Sequence, residues 1–424
     1  MKQLLANRNF MAVWAASFVS GLGDKIAILA FFSLVYNRTG NVASLGLLAA
    51  VQVLPGVVLG PFAGVLIDRW SRRGVMVASD LLSVATVCVI PLVDSLALVY
   101  VLAAVLAAGR HLSGPARLAL IPDLVPNDQL NRGNALFMVS QNVILLVGMA
   151  AGGVIVAGLG TAVAFWVDGG TFAASALLLL LPRLQEPAAC DGEAAARSRW
   201  HDVRHGAVWL WGRPRLRYAV LFLALVTMIT AMQPPLVYEF ITRLLGRSER
   251  ELGLIFATAG LGGLLGAGIA SVFRSLHHPL RTVGWLVAID GALLTLFALN
   301  RNLAVALLLF ALFGAISTGI QVNLATFLQR ETPPEKRGRV FGWLSPLLGP
   351  VTLLSVLAGP VVAGWAGVVA VLAVAGACEV LLGVAGALSA PRPDRRSEEA
   401  MAGNPADGEA GEGEDDLKAM AGRA

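Results

Sequence analysis

The sequence predicts an all-α membrane protein, with about twelve transmembrane helices in two six-helix bundles related by a pseudo-two-fold axis. Three observations predict it. The first is composition. The 424 residues are 57% hydrophobic and only 14% charged, where a soluble chain carries about a quarter charged residues. Mean hydropathy is +0.73. The second is the distribution of positive charge. If both ends are cytoplasmic, nearly all Lys and Arg fall on inner segments, and the outer segments hold only Arg38, Arg243, Arg247, Arg250 and Arg301, as the positive-inside rule requires. The third is an internal repeat. Gly148-Met149-Ala150-Ala151-Gly152-Gly153 matches Gly359-Pro360-Val361-Val362-Ala363-Gly364 at a spacing of 211, which also carries Asp168 to Glu379, and a spacing of 210 carries Asp80 to Asp290.

These observations exclude several classes. The net charge of +5 belongs to the loops, so nucleic acid is not an expected partner. Cys88, Cys190 and Cys378 form no disulfide framework. Of the five histidines only His201 and His205 have helical metal-ligand spacing, and no cysteine or carboxylate cluster completes a site. No metal and no cofactor is expected. No Walker motif or intramembrane catalytic constellation is present, so neither an enzyme nor direct use of ATP is expected.

The first half is expected over 1–182, with spans near 10–36, 41–66, 74–93, 97–117, 133–158 and 162–182. Span 1 begins after one Lys and one Arg and is too long for a cleaved signal peptide. It carries Asp24 and Lys25 just after Gly21-Leu22-Gly23, a place where a loosened helix and a carboxylate coincide. A charge inside a span costs about 2.5 to 3.5 kcal/mol on insertion scales. Asp24 is therefore expected to be a proton-coupling or cation-binding carboxylate, or part of a buried structural network with Lys25. The two point about 100° apart on an ideal helix. Spans 2 and 3 are joined by a short basic loop, Gly64-Val65-Leu66-Ile67-Asp68-Arg69-Trp70-Ser71-Arg72-Arg73. Gly64 allows close helix approach, Asp68 can sit at a helix N-terminus, and Arg69, Arg72 and Arg73 can hold phosphates or carboxylates. Asp80 on span 3 and Arg110 on span 4 lie at similar depth and are expected to pair, as structure or as part of a gate. Gly148, Gly152 and Gly153 on span 5 allow close packing. Asp168 on span 6 is expected to be structural.

A polar segment, 183–217, divides the halves. Trp200, Val203, Ala207 and Leu210, flanked by Arg197, Arg199 and Arg204, read either as a basic amphipathic helix on the inner leaflet or as a solvated linker. The second half is expected over 218–390, with spans near 218–242, 251–273, 281–299, 303–328, 339–363 and 366–389. Span 7 is interrupted by Gln233-Pro234-Pro235, the position that corresponds to Asp24, with Tyr238 and Glu239 beyond. Segments interrupted at matching places point to a transport site. Asp290, Gln321, Asn323, the packing pair Gly359-Pro360, and Glu379 follow on spans 9 to 12. The acidic tail 391–424 cannot bury a core and is expected to be disordered.

The loop after span 2 resembles the span 2–3 loop of the major facilitator superfamily, Gly-x-Leu-x-Asp-Arg-x-Gly-Arg-Arg/Lys, with Ser71 in place of the usual glycine. Leu106, Arg110, Ser113 and Gly114 resemble its span-4 pattern, with Ser113 for glutamine, and Gly148 to Gly153 resembles the antiporter span-5 pattern, with Met149 for proline. Gly23-Asp24, Gly114-Pro115-Ala116-Arg117, Ile121-Pro122-Asp123-Leu124-Val125-Pro126 and Gly338-Arg339-Val340 are similar to the drug-efflux branch that includes macrolide and enterobactin exporters. Lysophospholipid transporters share the first two of these features. The resemblance implies a monomer that works by alternating access around a cavity lined by spans 1, 4, 7 and 10. It implies that Asp68 meets the N-terminus of span 11 near Arg339 when the inner face is closed. Asp24, Lys25, Gln233, Tyr238, Glu239, Gln321 and Asn323 are the candidates for coupling or for the cavity. Trp14, Phe18, Met228, Met232 and Tyr238 would supply an apolar lining.

The expected function is proton-coupled efflux of amphipathic small molecules of drug, macrolide or siderophore type. The expected partners are the substrate, protons and the lipid bilayer, in a bacterial cytoplasmic membrane. Uptake or lysolipid flipping by the same fold is the alternative within transport. A non-transporting scaffold is the alternative from another class.

Overall fold

The computed structural model describes residues 4, 6–69, 71–125, 129–181, 210–272, 278–332 and 334–391. The expected amphipathic helix around Trp200, the histidine pair His201 and His205, Cys190 and the acidic tail beyond Pro391 lie outside the described residues.

A chain in hydrocarbon must satisfy its backbone within each segment, and the described chain is helical almost throughout. The helices are α1 (Arg8–Thr39), α2 (Val42–Arg69), α3 (Arg72–Val89) and α4 (Leu96–Leu124). The run Leu130–Leu180 follows, then α7 (Pro214–Thr230), α8 (Glu249–Val272), α9 (Pro279–Leu299), α10 (Leu303–Glu331), α11 (Pro334–Ala366) and α12 (Val368–Ser389). Eleven described segments are long and apolar enough to cross a membrane, and one of them, Arg132–Leu180, has 49 residues. At 1.5 Å per residue it spans about 74 Å, more than twice a bilayer core. It breaks at Gly160, whose φ of 86° and ψ of 170° suit only glycine, giving α5 (130–159) and α6 (161–180). Twelve crossings result, as the sequence predicts.

Local chemistry sets the ends. The Asn7 side chain accepts from the backbone N–H groups of Asn9 and Phe10 to start α1, and Gly40, at φ 62°, ends it. Ser71 caps α3 by accepting from the Gly74 N–H at 2.9 Å, which gives the serine at that loop position a structural use. Arg73 donates to the Leu179 and Leu180 carbonyls, both at 2.6 Å, and so closes the end of α6 in its own half. α4 runs seven residues past its expected end through Pro115 and Pro122, which membrane helices tolerate.

Two of the sequence expectations for helix breaks divide. Span 7 does break: α7 stops at Thr230, and a short helix Gln233–Glu239 and a π-turn Phe240–Leu244 complete the crossing. Span 1 does not, since α1 is helical through Gly21 and Gly23. These glycines serve close packing. A Cβ on Gly23 would lie 2.0 Å from the Thr171 hydroxyl of α6, and one on Gly21 would lie 2.9 Å from Ile144 of α5.

The repeated glycine motif does matched work in both halves. Gly148 and Gly152 of α5 seat α1: a Cβ would meet Lys25 at 2.7 Å and Ile26 at 2.9 Å. Gly153 seats α8 of the other half, where a Cβ would lie 2.6 Å from the Glu249 carbonyl. In α11, Gly359 seats Met232 beside the α7 break at 2.5 Å, and Pro360 lies against Gly46 of α2 in the other half. Gly364, the counterpart of Gly153, meets nothing within 4 Å. The halves therefore join along α5–α8 and α2–α11.

Gly152→Val should lower the thermal midpoint of the purified protein by the equivalent of about 1–3 kcal/mol of overpacking. Gly158→Val, where a Cβ meets nothing within 4 Å, should leave it unchanged. Size-exclusion after heating reads both.

Candidate functional site

Midway along α1, Asp24 Oδ1 receives the Arg110 guanidinium of α4 at 3.2 Å, with side chains 23% and 25% exposed. The sequence pairs Arg110 with Asp80, and the structure corrects this. α3 packs on α6, which turns Asp80 toward Ser175, whose hydroxyl donates to Asp80 Oδ2 at 2.6 Å. Arg110 is left for α1.

Asp168 is not merely peripheral. It is fully buried, and a Cβ on Gly23 would come within 2.3 Å of its Oδ1. It lies against the turn that carries Asp24. Thr171 Oγ1 shares its proton between the Asp168 carbonyl at 2.8 Å and Oδ1 at 3.3 Å. Oδ2 is buried without a partner. Its burial and lack of a cation on its own helix were visible in the sequence as an intramembrane acid, but its proximity to Asp24 was not.

The cations around this pair exceed the carboxylates that face them. Lys25 runs its stem over Gly148, and no hydrogen bond or ion pair joins its ammonium to a described residue. Arg117, two turns along α4 from Arg110, lies over the Phe137 ring at 5.6 Å with its Nε buried and unpartnered. Trp14 stacks on Phe18 at 5.4 Å and donates its indole N–H to Ser140 at 2.9 Å. The facing helices of the second half are uncharged between Tyr218 and Tyr238 and between Leu303 and Gln329. There Gln321 donates to Ser317 at 3.3 Å, Asn323 donates to the Gly319 carbonyl at 2.8 Å, and Gln233 keeps a buried Nε2 without a partner.

Tyr238 and Glu239 belong elsewhere. They lie at the end of the bundle away from the termini, in a closed seam between the halves. Tyr238 is 1% exposed, and its hydroxyl donates to Glu249 Oε1 at 3.2 Å. The Ser33 hydroxyl of α1 donates to the same oxygen at 2.8 Å, and Asn37 supports Ser33 at 3.1 Å. Phe32 and Tyr36 meet the Tyr238 ring edge-on at 5.6 and 5.5 Å. Glu249, in the first turn of α8, thus ties α1 to the α7 extension and to α8. Beside it Glu239 pairs with Arg243 at 3.0 Å. Both line a cavity of about 670 Å³ with Asn41, Val361, Trp365 and Val368. Sequence reading missed Glu249 because Ser33 stands 216 residues away; an acid opening a span was the available signal.

At the other end, Gly64 lies within α2, the side chains of Asp68, Arg69 and Arg339 lie outside the described set, and Arg72 is half-buried in the first turn of α3.

The model of the Major Facilitator Superfamily matches residues 13–353. The chain belongs to the major facilitator superfamily. It is a multi-pass membrane transport protein. It is 29% identical over 364 residues to the multidrug efflux pump Tap of Mycolicibacterium fortuitum, covering 81% of this chain and 87% of that one. It is 26% identical over 328 residues to the lysophospholipid transporter LplT of Serratia proteamaculans, covering 77% and 81%. A crystal structure of a variant of the nucleoside transporter NupG superposes with a TM-score of 0.71 at 14% identity, over 89% of this chain and 98% of that one. That likeness is one of fold.

Ser33→Ala and Glu249→Ala should each increase opening of the seam, with a coupling of about 1–3 kcal/mol between them for a hydrogen bond to a charged acceptor. Spin labels on the 39–41 and 246–248 loops would read the populations of the open and closed seam.

Proposed function

We propose that this superfamily member is a proton-coupled exporter of amphipathic small molecules, set in a bacterial cytoplasmic membrane with both termini in the cytoplasm. The observation that carries this reading is the Asp24–Arg110 pair at 3.2 Å, placed within one residue of a glycine packed on buried Asp168. An ion pair inside a bundle is costly to break by removing one charge, because the other is left unpaired. Protonation of Asp24 removes that charge. Arg110 then needs another acceptor, and the unpartnered Oδ2 of Asp168 stands next in line. One proton would shift Arg110 from an α4–α1 link toward an α4–α6 link. That is a change in helix contacts, which a two-state carrier needs.

Trp14, Phe18, Met228 and Met232 supply flat and adaptable apolar surface for a substrate body. The Ser33–Glu249–Tyr238 seam would be the outer gate, since the basic loops assign that end to the outside. The efflux assignment of a 29%-identical relative agrees with this direction.

A second reading has its own observation. Lys25, Arg110 and Arg117 offer three cations near the single half-buried carboxylate of Asp24, and Lys25 has no partner among the described residues. An anionic lipid headgroup would complement that surplus, as a lysophospholipid substrate requires. A scaffold that moves nothing predicts no effect of Asp24 on any flux.

Asp24→Asn should abolish proton release from detergent-purified protein on addition of exported ligands. It should also cut gradient-driven transport by at least about tenfold, the effect of about 1.4 kcal/mol. Equal ligand binding by both proteins without proton movement would overturn proton coupling. Lys25→Gln should weaken binding of an anionic lysophospholipid about fivefold or more, for a charge contact of about 1 kcal/mol at partial burial, and should leave a neutral drug unaffected. Unchanged lysolipid binding would remove the second reading.

A further inference from the structure

The second half contains an acid pair that the reading above does not use. Glu379 of α12 is fully buried, and neither carboxylate oxygen has a hydrogen-bond partner. It faces α9 across a seam of glycines. A Cβ on Gly291 would lie 2.5 Å from Glu379 Cβ, one on Gly376 would lie 2.6 Å from the Gly291 carbonyl, and one on Gly383 would lie 2.3 Å from the Ala288 N–H. Asp290 immediately precedes Gly291 on α9, which puts both acids at this helix contact.

Among the described residues no ion pair joins a cation to either acid. α12 carries no Lys or Arg, and α9 carries only Arg281, nine residues from Asp290 at the helix end. Thr295, the hydroxyl nearest the seam, donates to the Gly291 carbonyl at 3.0 Å. On the other elements packed against α9 and α12, Arg215 of α7 is paired with Glu331 of α10, and Tyr218 donates to the Gly386 carbonyl at 2.7 Å. Tyr238 and Glu239 are held in the distant seam described above. Arg217 and Arg330 lie in the end turns of α7 and α10, and Cys378 is exposed.

The matching acids of the first half are not so bare. Asp80 has the Ser175 hydroxyl, Asp168 has Thr171, and Arg110 lies beside Asp24. At the spacing of 211 these three partners become Gly386, Leu382 and Gln321. The second half keeps two of the carboxyls, as Asp290 and Glu379, and lacks the hydroxyls of Ser175 and Thr171 and the neighbouring Arg110. Two neighbouring carboxylates in a low-dielectric setting disfavour each other's ionisation, and among the described residues no third His, Cys, Asp or Glu joins them to hold a metal ion.

We propose that Asp290 and Glu379 form a second proton-binding site, in the α9–α12 seam, that exchanges one proton independently of Asp24. When the site is loaded, the proton sits on one carboxyl of the pair. When it leaves, the pair carries an added negative charge that favours separation of α9 from α12.

The test uses the full chain in phosphatidylglycerol vesicles and infrared difference spectra between acid and alkaline buffer. Wild-type-minus-variant difference spectra should isolate, from the other carboxyls of the chain, one titrating C=O band that is lost in Asp24→Asn and a second that Asp24→Asn keeps. Glu379→Gln and Asp290→Asn should each remove the second band and leave the first. Should Glu379→Gln fail to fold, Asp290→Asn reads the same pair. A second band that stays at every pH would mean a permanently protonated structural carboxyl and would overturn the proposal. A spectrum unchanged by either substitution would also overturn it. A band shifted by sodium at constant pH would assign the site to a metal cation instead. A wild-type spectrum with the Glu379-dependent band but no Asp24-dependent band would sink proton coupling at Asp24 while leaving this second site standing.

Discussion

The ion pair between Asp24 and Arg110 is the contact on which the first half turns. It places a full charge of each sign between α1 and α4, where neither would remain without the other. Everything around it follows from making room. Gly23 lets α1 lie against α6, Gly148 lets Lys25 pass between α1 and α5, and Ser175 takes Asp80 away from Arg110. A polar cluster of this kind holds its helices in one arrangement as long as its protons stay in place. Its value to a carrier lies in that condition.

The glycine seams act on a larger scale. Hydrocarbon gives helices little hydrophobic reason to associate, so association depends on close packing. Gly148 and Gly152 bind α5 within its half, and Gly153 on the same helix touches the other half. α5 therefore packs within its bundle on one side and against the other half on the other. α11 divides its work the same way, with Met232 at Gly359 and α2 at Pro360.

Much of this was legible in the chain. The twelve crossings, the break before Pro234, the packing role of Gly148, Gly152 and Gly359, and the repeated acids all follow from local residue type and spacing. What was not legible was rotational phase. Asp80 lay within reach of Arg110 by depth, and only the turn of α3 toward α6 decided that it would meet Ser175 instead. Gly21 and Gly23 looked like loosened helix because glycine serves either flexibility or contact, and the deciding neighbour, Thr171, lies about 150 residues away. The Glu249 latch was hidden for the same reason: its partner sits on another helix in the other half.

The hinges between α5 and α6 and between α11 and α12 are single glycines. Gly160 and Gly367 occupy the same left-sided backbone region, at φ 86° and 84°. Each joins the helix that touches the opposite half to the helix that carries Asp168 or Glu379. A joint of one residue has no slack, so the two arms behave as a bell-crank. A tilt of α5 or α11 at the seam between the halves would be carried through that joint toward the buried acid on the other arm. Lengthening either joint by even a few residues would leave both arms intact and disconnect the lever.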